Sequence, residues 1–134
     1  MKQITCITIA CLSLINYAQN NEKLSTIDYV EVLNDYNEEA LYYYKNNWEQ
    51  LRKIAKTMAY IDSYLFLEVQ PEEATNYNFI LITTYSNKKQ YNASETNFRK
   101  IIDAASGLKL LNDLKPSEFR RVVSHKSYIK HQNK

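Results

Sequence analysis

Between Leu41 and Tyr85 the apolar positions change period, from a helical spacing to an alternating one. Leu41, Tyr44, Trp48, Leu51, Ala55 and Met58 recur at three and four residues, with Glu49, Lys53 and Lys56 on the far side and Lys45 and Arg52 flanking, which predicts one long amphipathic helix. Asn37 precedes it as a cap, with Glu38 and Glu39 at the positive helix end. From Tyr60 to Val69 the pattern alternates: Ile61, Leu65, Leu67 and Val69 share one face, and Tyr60, Asp62, Tyr64, Phe66 and Glu68 the other. Pro71 to Asn76 reads as a loop, and Phe79 to Tyr85 is a run of β-branched and aromatic residues suited to a central strand.

The flanks complete the order. Ile27 to Leu33 alternates as a first strand, and Asn34 to Asn37 has turn chemistry. Ser86 and Asn87 cap a second helical region whose buried side is Tyr91, Phe98, Ile101, Ile102 and Ala105, and the single glycine, Gly107, stops it. Leu108 to Lys115 is a connection, Pro116 and Ser117 restart the chain, and Phe119 to Tyr128 is a last strand, with Ile129 to Lys134 as a frayed tail. The sequence therefore predicts an α+β domain of ferredoxin-like order, β-α-β-β-α-β, over residues 27–128: a four-stranded antiparallel sheet with both helices on one face. The other face is bare unless a second copy covers it. An apolar-and-aromatic strand such as Tyr60 to Val69 places its aromatic side on that second face, inside a dimeric α/β barrel.

The first residues change where the chain is expected to reside. Met1-Lys2-Gln3, the apolar run Ile4 to Ile15 and then Asn16-Tyr17-Ala18 have the layout of a signal peptide over residues 1–18, followed by a polar tether over 19–26. The run is shorter than the roughly 20 residues of a spanning helix, so no stable membrane insertion is expected of a periplasmic or secreted chain. Cys6 and Cys11 both fall in the leader, which leaves a mature chain of about 115 residues with neither disulfide nor thiol. Such a small domain gains from pairing with a copy of itself.

Charge is uneven along the chain. Gln19 to Tyr85 holds five basic and eleven acidic residues, whereas Ser86 to Lys134 holds eleven basic and four acidic. Halves of −6 and +7 attract one another within a fold or across a dimer. Nucleic acid is not an expected partner, because the basic residues are not interleaved with aromatics at strand spacing.

At Tyr42 to Arg52, Ala59 to Tyr64, Ile80 to Tyr85 and Phe98 the chain resembles small exported members of the dimeric α/β-barrel group, which includes antibiotic-biosynthesis-monooxygenase-like and NIPSNAP-like domains. The resemblance implies two ferredoxin-like sheets facing each other and a ligand in the barrel interior or a helix-lined cavity. Activities in the group range from cofactor-free oxygenation of polycyclic phenols to haem degradation. Haem-degrading members use an Asn, a Trp and a His; Asn34 matches the first, but Trp48 falls within the helix stripe and the second helical region has no His.

Candidate chemistry is sparse, and no metal or cofactor is expected. Asp62, enclosed between Tyr60 and Tyr64, would be a general base if desolvation raised its pKa, or else a carboxylate bonded to a Tyr or to Arg120 or Arg121. His125 alternates with Val123 and Arg121 and so points into the same interior, as acid, base or ligand, or is solvated. Tyr60, Tyr64, Phe66, Tyr85 and Arg121 are the candidate ligand-binding residues, while Tyr44 and Trp48 are assigned to core packing. The expected function is an exported homodimer that binds a small apolar or aromatic molecule. The alternative is a cofactor-independent, monooxygenase-like enzyme acting on a small aromatic substrate.

Overall fold

The computed structural model describes residues 22–70, 72 and 74–133; the expected leader, with Cys6 and Cys11, lies outside them. Four strands, β1 (Leu24–Val32), β2 (Ser63–Glu68), β3 (Phe79–Tyr85) and β4 (Arg120–Lys130), form one antiparallel sheet in the order β2-β3-β1-β4. Between β1 and β2 runs a helix in three parts: α1 (Asn37–Tyr43), a π-helical turn (Tyr44–Trp48) and α2 (Glu49–Thr57). Between β3 and β4 lie α3 (Lys88–Asn92), α4 (Ser94–Ala104) and the single turn α5 (Pro116–Phe119). The expected order and sheet are present.

β1 begins three residues before the expected strand, at Leu24, and β4 continues to Lys130, into the segment expected to fray. Backbone pairing accounts for the extension: Leu24 and Ser25 stand opposite Lys130 and Ile129, and His131 N–H donates to the Lys23 carbonyl. Asn37 is the first helical residue rather than the cap, its side-chain amide donating to the Asp35 carbonyl in a turn whose Asn34 and Asp35 have φ of +54° and +59°. Asn87 does cap α3, its Oδ1 accepting from Gln90 N–H.

One face of the sheet carries the helices. Val30, Phe79 and Leu81 meet Ala40, Tyr44, Trp48 and Phe119 in one core cluster, and Tyr85 meets Ala55, Ile61 and Ile101 in another. Tyr64 and Phe66 pack into this helical side, edge-on to Trp48 and tilted against Tyr44. The alternation expected from Tyr60 to Val69 holds within β2 with its faces exchanged, the aromatic side lying under the helix and Leu65 and Leu67 looking outward; before the strand it fails, because Ile61, expected to share a face with Leu65, is buried in the second core cluster with Tyr60 beside it. Aromatic rings at Tyr44 and Trp48 select aromatic rings opposite them, because edge-to-face contact adds to area burial.

The outer face is aliphatic at its centre. Leu65 stands opposite Ile82, which stands opposite Ile27; Leu67 stands opposite Ile80, which stands opposite Tyr29. Leu65 and Leu67 are 53% and 40% exposed.

The π-helical turn has a local cause. Its widened backbone ring leaves carbonyls without their usual α-helical donors, and side-chain amides replace them: Asn46 donates to the Tyr42 carbonyl, Asn47 to Tyr43 and Gln50 to Lys45. Asn47 then reaches beyond the helix, donating to the Lys109 carbonyl and accepting from Lys109 N–H, both at 2.8 Å. That pair ties the segment after α4 to the long helix.

Candidate functional site

The tied segment forms the outer wall of a cleft of about 730 Å³. Its inner wall is the sheet, through Asp28, Leu81, Arg120 and Val122; the helical side supplies Tyr44, Asn47, Trp48, Leu51 and Arg52, and Ala105 to Lys109 make the rim. Gly107, at φ +91°, turns that rim, with nothing within 4 Å of where a Cβ would stand. The size falls in the range of small-molecule sites, roughly 300–1,000 Å³.

Arg52 is the most constrained cation of the wall. Its guanidinium lies between two rings, 4.4 Å from the Trp48 centroid and 4.5 Å from that of Phe98, and its Nε–H donates to Thr83 Oγ1 at 3.3 Å. Burial pulls its pKa down to about 10, which leaves it cationic at neutral pH. Arg120 lies over the Tyr43 ring, donates to Tyr43 Oη at 3.4 Å, and keeps its Nε buried without a partner. Burial also pushes the Tyr44 hydroxyl well above its ordinary pKa, against the opposing pull of Arg120, so it stays protonated.

The residues singled out in the sequence do not assemble here. Asp62 lies elsewhere on the sheet, its carboxylate accepting from Lys23 Nζ at 2.8 Å and from the Ser63 and Ser86 hydroxyls at 3.2 Å. The hydrogen bond from Lys23, ahead of its charge and the two serines, holds the carboxyl below the ordinary carboxylate value, the reverse of the elevation a general base needs. A depressed folded value gives stability that is full above the unfolded pKa of about 3.9 and is lost as pH falls through the folded value. Asp62→Asn should therefore cost about 1 kcal/mol or less at pH 7 and a smaller amount as the pH falls toward 2. Urea unfolding at the two pH values checks this; an equal loss at both contradicts it.

His125 and Arg121 do not share a face as expected. Glu31 and Val30 oppose Arg121 and Val122, but Tyr29 opposes Ser124, so Val123 is an extra residue and the phase of β4 reverses there. Arg121 consequently pairs with Glu31 on the outer face, and His125 Nδ1–H donates to Asp28 on the helical face. Tyr60 and Tyr85 belong to the second core cluster, and Tyr64 and Phe66 to the packing under the helix; none lines the cleft. The cleft residues missed by the sequence reading are Arg52 and Asn47, while Arg120, read there as a possible partner of Asp62, lines the cleft instead. Arg52 carried a usable signal, one turn from Trp48 beside the apolar stripe, where an arginine can stack on an indole. Among the described residues no His, Cys, Asp and Glu cluster is placed to hold a metal ion, and no helix is long and apolar enough to cross a membrane.

No family model matches the sequence, and no curated protein is similar to it. Among solved structures, HapK from Hahella chejuensis superposes with a TM-score of 0.50 at 9% identity, over 83% of this chain and 95% of that one. The fold is ferredoxin-like. A dimeric ferredoxin-like protein of unknown function from Thermobifida fusca gives a TM-score of 0.41 at 13% identity, over 84% of this chain and 96% of that one. At such identities the likeness concerns the fold alone.

Proposed function

We propose that the chain is an exported binding domain, paired with a second copy through the outer sheet face, that holds a small, largely apolar or aromatic molecule in the cleft between the long helix and the sheet. The observation that carries this reading is the cleft itself. It is walled by Trp48, Leu51, Leu81 and Val122 and edged by a few convergent polar groups, the usual composition of a small-molecule site. Export rests on the expected leader, and pairing on the aliphatic outer face.

Purified from an exporting host, the chain should have an intact mass that begins at Gln19 and should bind the neutral dye N-phenylnaphthylamine saturably, one per chain, by fluorescence titration. Ala105→Trp places a ring at the exposed rim and should reduce that affinity at least tenfold. The binding reading fails if the wild-type chain gives no saturable signal or if Ala105→Trp binds equally well. An unprocessed N-terminus removes export alone.

A further inference from the structure

We propose that the occupant of this cleft is an anion: an aromatic acid or comparable flat molecule whose carboxylate, phenolate or sulfonate is held by Arg52 and Arg120. This deepens the binding reading and rests on it. Three cationic residues, Arg52, Arg120 and, on the rim, Lys109, line one cleft, and among the described residues none has a carboxylate within 4 Å. Among the described residues Arg52 makes one protein hydrogen bond, through Nε, and its terminal nitrogens have no partner there. A guanidinium taken largely out of water is costly unless something anionic completes its shell.

The carboxylate that does line the cleft is already engaged. Asp28 accepts from His125 on the neighbouring strand and forms no ion pair with either arginine. The cleft therefore holds cationic groups with unmet bonding capacity beside one carboxylate, Asp28, whose charge reaches Arg52 but which bonds to His125 instead.

A second observation points to the same place. Among the described residues the buried polar side-chain atoms without a hydrogen-bond partner are Tyr44 Oη, Trp48 Nε1 and Arg120 Nε, and all three residues line this cleft. Buried polar atoms are ordinarily satisfied; these three are covered rather than open to an occupant, and they leave hydrogen-bond capacity unmet behind both walls of the cleft, at Tyr44 and Trp48 on the helical side and at Arg120 on the sheet. The indole and guanidinium nitrogens only donate, while the protonated tyrosine hydroxyl, beside Arg120, can accept as well as donate. The donors that reach the cleft, the terminal nitrogens of Arg52 first among them, call for an acceptor, and an oxyanion is the densest acceptor available. The aromatic stack of Trp48, Arg52 and Phe98 fixes the guanidinium plane, so a bound oxyanion meets a preset fork rather than a flexible side chain.

The experiment compares two dyes on one skeleton: neutral N-phenylnaphthylamine, and anilinonaphthalene sulfonate, which adds the anion. The wild-type chain should prefer the sulfonate by roughly tenfold to a hundredfold, the worth of one or two charge-assisted hydrogen bonds. Arg120→Gln and Arg52→Gln should each weaken the sulfonate far more than the neutral dye and so erase most of that preference; Arg52→Lys, which keeps the charge and loses the fork, should fall between. Leu65→Asp, on the opposite face of the sheet, is the control for dye bound outside the cleft and should not alter the preference. Equal affinity for the two dyes on the wild-type chain overturns the anion inference and leaves the cleft standing. A sulfonate preference that survives both glutamine variants overturns it too. If neither dye binds, or if Ala105→Trp binds both unchanged, the cleft reading fails and the anion inference with it.

Discussion

Leu65→Asp should convert the chain from dimer to monomer without unfolding it. Leu65, Ile82 and Ile27 form one cross-strand row, and Leu67, Ile80 and Tyr29 form the next, so the outer face presents six large apolar side chains in two adjacent lines. A sheet with one solvated face normally alternates apolar and polar residues, and this one does not. Contiguous exposed apolar surface of that kind marks an interface, and the Glu31–Arg121 ion pair at its edge supplies a polar rim. An aspartate in the middle of the buried patch would have to be desolvated without a partner, so the dissociation constant should rise at least a hundredfold. Leu65 faces away from both core clusters, and the monomer should keep its helical circular dichroism. Sedimentation velocity of the two proteins decides the matter. A wild-type monomer, or a Leu65→Asp dimer, ends the pairing proposal.

Trp48→Ala carries the largest stability effect expected in the chain. The indole is 8% exposed, meets Tyr64 at 5.9 Å and Phe66 at 6.3 Å between ring centroids, and supports the Arg52 guanidinium. Removing it deletes the middle of the helix-to-sheet contact and leaves a cavity beside an existing cleft, at a cost of about 3–5 kcal/mol. A domain of this size has about 5–15 kcal/mol in all, so the variant should be folded marginally or not at all. Trp48→Phe keeps a ring in place and should lose less than half as much. Urea midpoints for the three proteins test the order, and a loss below 1 kcal/mol for the alanine variant would show that Trp48 is not a core residue.

The middle of the helix stripe, at Tyr44, Trp48 and Ala55, the existence of the strands and the Asn87 cap were legible because each depends on residues within a turn or two of one another; the ends of the stripe, Leu41 and Met58, are exposed instead. Which face of β2 would be covered was not, since that depends on what the helix presents: Tyr44 and Trp48 draw Tyr64 and Phe66 beneath them and leave Leu65 outside. Nor was the phase of β4. Alternation counted through Val123 puts His125 with Arg121, and a single extra residue opposite β1 separates them. No local pattern in Arg120 to Lys130 announces that bulge. The cleft escaped for a related reason: Arg52 and Arg120 are sixty-eight positions apart, and their common wall exists only once the long helix is laid across β3 and β1.

The double hydrogen bond between Asn47 and Lys109 makes the mouth of the cleft an aperture of set width. A wall hung on a loose loop would close around whatever entered and would surrender affinity to the ordering of that loop. Here the wall is tied in place by the chain itself, so the proposed binding should sort molecules by cross-section at the entrance and turn thick ones away whatever charge they carry.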